Sequence, residues 1–186
     1  MQDLRQREGV AARALEFLIL TAARSGEVLG ARWDEIDLDA KLWTVPRERM
    51  KAGLEHRVPL SRRAVAILSE LEATRASEFV FPGLKRGSPL SSMALEMTMR
   101  RMKADATVHG FRSTFRDWAG ECTSFPREVA EAALAHLVGD SVERAYRRGD
   151  ALQKRRELMS AWASFCTAVA ASVVAYGPKS ARVSVG

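Results

Sequence analysis

The chain is poor in the residues that serve thiol, metal and membrane chemistry. Cys122 and Cys166 are its only cysteines in 186 residues. They are too far apart for a zinc-ligand spacing and too few for a disulfide framework, so the expected setting is a reducing cytoplasm. Three histidines occur without a carboxylate cluster, which argues against a metal-dependent nuclease. The longest apolar stretches, near residues 15–23 and 168–176, are too short to span a bilayer, and the first residues carry no apolar signal region. Neither membrane insertion nor targeting is expected. Lysine is also scarce: 23 of the 29 basic residues are Arg. A net charge of +6 supplied mainly by planar guanidinium forks, which match phosphate oxygens, points to a polyanionic partner, although such charge also serves solubility. The length suits one well-buried domain.

Hydrophobic spacing predicts a mainly α domain with a small three-stranded antiparallel β-sheet, an α+β arrangement. Val10, Ala14, Phe17, Leu18 and Thr21 recur at helical spacing to about residue 23, and Ser25 reads as the cap of a short helix through residue 29. Residues 36–38, 42–45 and 56–60 read as strands, with Lys51 at the tip of the second turn. Further helices are expected over 61–74, from 91 or 92 to 104, from 109 to 122, over 126–135, over 142–148 and over 151–166. In the helix from 109, the residues Phe111, Phe115, Trp118, Ala119 and Cys122 form an apolar stripe, while His109, Arg112 and Arg116 share another face. Asp117 and Glu121 lie on a third face, so the three cations read as unpaired and open to an external anion.

The most informative residue is Tyr146, ten residues after His136 and set in Ala-Tyr-Arg-Arg. Tyrosine is a weak nucleophile at neutral pH, with an unperturbed pKa of about 10, and needs nearby positive charge or a base. Arginines and imidazoles provide both. Arg24 and Glu27, three apart, share a helical face, so the carboxylate can orient the guanidinium; His109 and Arg112 repeat the spacing. A phosphodiester attacked in line gathers charge on its non-bridging oxygens, which paired arginines can stabilise. A flexible lysine such as Lys51 can protonate the leaving oxygen.

The segments Thr-Ala-Ala-Arg-Ser-Gly-Glu (21–27), Met-Lys-Ala-Gly-Leu-Glu-His-Arg-Val-Pro-Leu (50–60), His-Gly-Phe-Arg-Ser-Thr-Phe-Arg-Asp-Trp-Ala (109–119), Leu-Ala-His (134–136) and Ala-Tyr-Arg-Arg (145–148) stand in one order. In these the chain resembles the catalytic domain of the tyrosine recombinases, specifically phage and prophage integrases, over roughly residues 8–165. The resemblance implies that Arg24 and Arg112 clamp the scissile phosphate and Tyr146 forms a 3′-phosphotyrosyl link. It implies that His136 donates to the phosphate, Lys51 protonates the leaving oxygen, His109 assists proton movement and Glu27 supports Arg24. It implies double-stranded DNA carrying an attachment site as partner, other protomers in a tetrameric synapse, no cofactor, metal or small-molecule substrate, and a bacterial cytoplasm, at the nucleoid. Arg116, Arg144, Arg147 and Arg148 are the candidate DNA contacts, with Arg155 and Arg156 in the same basic run.

Ala22 and Ala135 stand where many relatives carry Gly, a departure expected to alter packing. Relatives also carry arm-binding and core-binding domains first, so the expectation is a catalytic domain over 1–166, absent N-terminal DNA-binding domains and a tail over 167–186, in an excised fragment or truncated product. Singly, each residue has a plainer reading: a helical salt bridge for Arg24 and Glu27, a helix cap for His109 or His136, a packing aromatic for Tyr146. The order of the set defeats those readings together. Two other functions stay open: a non-catalytic DNA-binding fragment of a decayed integrase, and a type IB topoisomerase-like nicking-closing enzyme.

Overall fold

A computed structural model describes residues 1–136 and 151–168. The chain opens with helices α1 (Gln2–Gln6), α2 (Val10–Thr21) and α3 (Ser25–Leu29). Ala14, Leu15, Phe17, Leu18 and Leu20 are all buried, so α2 is apolar nearly all round and forms the centre of the fold. Around it pack α1, α3, α4 (Arg62–Glu72), α5 (Ser92–Arg101) and α8 (Leu152–Thr167). Ser61 caps α4 by accepting from the Ala64 N–H.

One polar group lies inside this apolar packing. Glu16 of α2 is fully buried, and its carboxylate accepts from Arg5 of α1 at 2.7 Å and from Arg63 of α4 at 2.9 Å. Burial acts to raise the Glu16 carboxyl, but the hydrogen bonds and charges of Arg63 and Arg5 outweigh it and hold the group below the usual carboxylate range. The ion cluster thus joins three helices at one point.

The sheet is the expected antiparallel one, in the order β1 (Ile36–Asp37), β2 (Leu42–Val45), β3 (His56–Pro59). Its register pairs Trp43 with Val58 and Val45 with His56. Trp43, Val45, His56 and Val58 are all buried, and the Trp43 and Phe81 rings each pack 5.5 Å from that of Phe17. The β2–β3 connection therefore projects from an anchored hairpin, and it carries Lys51.

The remaining helices are α6 (Gly110–Glu121) and α7 (Arg127–Ala133). Phe115, Trp118 and Ala119 of the expected stripe are buried, Phe111 is partly so, and Cys122 is exposed because the helix has ended before it. In α8, Leu158, Met159, Trp162 and Ala163 face the core, with Leu152 and Cys166 only partly covered. The Trp162 Nε1–H donates to the Ile19 carbonyl at 2.7 Å, which locks α8 onto α2. Both cysteines are free, and burial pushes the Cys166 thiol up to about 12. Among the described residues no helix is long and apolar enough to cross a membrane.

Ala22 and Ala135 both adopt left-handed backbone, at φ 50° and 51°. The expected consequence of alanine at these two positions was packing; the observed one is backbone strain, because a Cβ in that region costs roughly 1–2 kcal/mol. At Ala135 the strain closes a helix end. The Ala135 N–H donates to Ala132 O and the His136 N–H to Glu131 O, which is a Schellman turn ending α7.

Candidate active site

A cleft of about 320 Å3 opens where α3, α6 and the β2–β3 connection meet. Arg24, Glu27, Arg49, Lys51, His109 and Arg112 all line it. Residues 88 positions apart in the chain, Arg24 and Arg112, thus face one space.

Arg24 is the extended residue that precedes α3. Glu27, buried in the first turn, accepts from the Arg24 backbone N–H at 2.9 Å and from its Nη1 at 2.7 Å. The carboxylate therefore caps the helix and aims the guanidinium in one stroke. Arg112 is held from the other side. Its Nη1 donates to the Ala22 carbonyl and its Nη2 to the Leu134 carbonyl at 2.8 Å, so it staples the ends of α2 and α7 together. Each of those carbonyls belongs to or directly precedes one of the strained alanines. Burial first, then the nearby Arg24 charge, pulls the Arg112 guanidinium down to about 10, with Glu27 only partly compensating. It remains a cation at neutral pH, in a place short of negative charge.

His109 lies exposed just before α6 and makes no capping hydrogen bond; the Thr107 hydroxyl caps instead, accepting from the Gly110 N–H at 3.0 Å. Lys51 is exposed on its turn. Behind it, Arg49 bonds the Glu35 carboxylate and the Glu27 carbonyl, tying the β2–β3 connection to α3. His136 stands beside Arg112, with Nε2 3.5 Å from Arg112 Nη2 and Nδ1 2.6 Å from Glu131 Oε2. Tyr146, Arg144, Arg147 and Arg148 lie outside the described residues.

Two expectations need correction. Arg116 is not an unpaired cation: its Nε donates at 2.9 Å to Glu131, a carboxylate from α7 that helical periodicity within α6 cannot reveal. Arg155, grouped with the candidate DNA contacts, is instead buried, with Nη1 donating to the Arg57 carbonyl at 2.6 Å. Arg156, in the same run, spans the β1–β2 turn, its Nη2 donating to the Ala40 carbonyl at 2.8 Å.

Three residues were missed. Arg49 lies between the expected strands and drew no role. Glu131 fell within the helix expected over 126–135 without a role, yet it is buried; burial acts to raise its carboxyl, while the His136 hydrogen bond and the Arg116 charge together hold it below the usual range. His56 read only as a strand residue, yet its Nε2–H donates to the Ala133 carbonyl at 3.3 Å and so joins the hairpin to α7. Burial, with the Arg155 charge next, pulls His56 down to about 4. Among the described residues no three His, Cys, Asp or Glu side chains converge as a metal-ligand group.

A mainly helical fold around this arginine cleft defines the class, and the sequence agrees: the pattern of the phage integrase family matches residues 3–152, and the chain belongs to that family. It is 40% identical over 154 residues to the prophage integrase IntA of Escherichia coli strain K12, covering 81% of this chain and 37% of that one. It is 33% identical over 171 residues to the integrase of Enterobacteria phage P4, covering 82% of this chain and 39% of that one. The chain thus spans well under half the length of these relatives. Its fold is similar to that of an integrase from mycobacterium phage Brujita, with a TM-score of 0.67 at 24% identity over 86% of this chain and 54% of the other. It is similar also to a lambda integrase solved as a dimer bound to a COC′ core site, with a TM-score of 0.56 at 23% identity over 76% of this chain and 55% of the other.

Proposed function

We propose that this chain is the catalytic portion of a site-specific DNA recombinase, integrating or excising a mobile element through a tyrosine-linked DNA intermediate. One observation carries the reading: two guanidinium groups, Arg24 and Arg112, face one cleft, and the charge of the first disfavours that of the second. A phosphate diester relieves that repulsion, and does so most strongly when attack adds charge to its non-bridging oxygens. In this reading Tyr146 Oη bonds to phosphorus while the bond to the 5′-oxygen breaks. Lys51 gives that oxygen a proton, His109 helps to move the tyrosine proton, and His136 donates to a non-bridging oxygen. Glu27 holds Arg24 in aim. A 5′-hydroxyl from a partner strand then attacks the phosphotyrosine and releases the enzyme.

The guanidinium and imidazole groups supply the charge that such chemistry asks for, so the reaction takes no cofactor. Its partners are duplex DNA bearing an attachment site and further protomers, four in the synapse, in a bacterial cytoplasm. Residues 1–166 form the catalytic domain, followed by a tail over 167–186, and Arg144, Arg147 and Arg148 contact DNA. The test is a duplex nicked beside the cleavage site, so that the cut end diffuses away and the adduct is trapped. A covalent protein–DNA adduct should form without divalent metal and vanish in Tyr146→Phe. An adduct that persists in that variant refutes the assignment of the nucleophile. DNA binding without any adduct establishes the competing reading, a binding fragment that does not cleave.

A further inference from the structure

His136 is gripped by one neighbour through both backbone and side chain. Its N–H donates to the Glu131 carbonyl at 2.9 Å, and its Nδ1 lies 2.6 Å from Glu131 Oε2. The other carboxylate oxygen, Oε1, accepts from Arg116 Nε at 2.9 Å, with Arg127 Nε 3.7 Å away. A carboxylate between such cations is ionised, and an ionised carboxylate only accepts. The proton in the 2.6 Å contact therefore sits on His136 Nδ1, and the ring edge left facing Arg112 is Nε2.

We propose that Glu131 is a positioning residue for strand cleavage, which pins the His136 ring and keeps a proton on Nδ1, so that Nε2 can donate to a DNA phosphate only from a positively charged ring. This rests on the recombinase reading of the cleft. With Nδ1 protonated, a neutral ring presents a bare Nε2, which accepts from Arg112 and repels a phosphate oxygen. To donate to the phosphate, Nε2 must carry a second proton, taken up from solvent acid (hydronium or buffer), and the ring is then a cation beside Arg24 and Arg112. Charge-assisted donors are roughly twice as strong as neutral ones. Glu131 thus sets the kind of donor His136 becomes, and not merely its position. Arg116 completes the device by fixing which way the carboxylate points.

Glu131→Gln separates these roles at constant shape. Arg116 offers only donors, so the amide must turn its oxygen to Arg116 and its NH2 to His136. Nδ1 then has to accept, and the neutral ring carries its proton on Nε2. Imidazole 15N NMR on the whole chain without DNA reads the tautomer directly. We expect protonated Nδ1 in the wild type and bare Nδ1 in E131Q. Adduct formation on the nicked duplex should slow roughly tenfold, the difference between a charge-assisted and a neutral hydrogen bond, while DNA affinity stays within about twofold. A wild-type ring with bare Nδ1 overturns the proposal, whatever the variant does. So does E131Q cleaving at the wild-type rate with its tautomer changed. A wild type that shows the expected tautomer but forms no adduct sinks the recombinase reading instead.

Discussion

Lowering the pH from 6.5 should remove a defined part of the fold's stability through His56 alone. This ring is buried between β3 and the end of α7, where it donates to Ala133 O and has the Arg155 and Arg112 charges nearby. Burial, then Arg155, brings it from 6.5 to about 4 in the folded chain. Above pH 6.5 neither folded nor unfolded chain protonates it. Between 6.5 and 4 only the unfolded chain does, so stability is full at the upper end and falls as pH drops. At about 1.4 kcal/mol per unit, the total loss is on the order of 3 kcal/mol. The carboxyls of Glu16 and Glu131 are held below their ordinary 4.5, so their contributions are present above that value and disappear at lower pH than the His56 window. His56→Gln keeps a neutral donor to Ala133 O and cannot charge. Urea unfolding of both proteins across pH 7 to 4 should show their stability difference changing by about 3 kcal/mol in the variant's favour as pH falls. A difference that stays constant over that range refutes the account of a buried, neutral His56.

Other outcomes follow from particular contacts. Glu16→Gln leaves the Arg5 and Arg63 guanidiniums beside a buried neutral amide and should cost about 3–5 kcal/mol in denaturant unfolding; a loss under about 1 kcal/mol contradicts the ion cluster. Ala135→Gly relieves the φ of 51° and should stabilise by about 0.5–1 kcal/mol, a rise in Tm of a few degrees; destabilisation would mean that the left-handed turn is wrong. DNA affinity should fall steeply with added salt as phosphate contacts stop releasing counterions, and salt-insensitive binding would count against them.

The sequence made some of this architecture legible and hid the rest for a physical reason. Helices with several turns of apolar spacing, such as α2, α4 and α6, announce themselves, as does a hairpin flanked by Gly and Asp. Helix ends were less readable: α7 stops at Ala133 because its Schellman turn takes over there, and α1, at five residues, is too short to display a period. Among candidate site residues, the five cleft-lining positions Arg24, Glu27, Lys51, His109 and Arg112 could be picked out by local spacing and resemblance. Arg49, His56 and Glu131 could not, because each matters through a partner from another element. The same blindness made Arg116 look unpaired and placed the buried Arg155 among the candidate DNA contacts. Long-range pairing, not residue type, decides whether an arginine faces solvent, a carboxylate or a backbone carbonyl.

In the proposed reaction, Arg24 and Arg112 together stabilise the charge on a phosphate under attack. Arg24 is the one to change, because Arg112 also staples α2 to α7. The direct measurement is the single-turnover rate of adduct formation by Arg24→Gln on the nicked duplex, with DNA affinity measured alongside. Cleavage should fall by roughly 100- to 1,000-fold, as for loss of one preorganised donor to a transition-state anion, while binding changes far less. Cleavage at the wild-type rate by that variant would contradict the account.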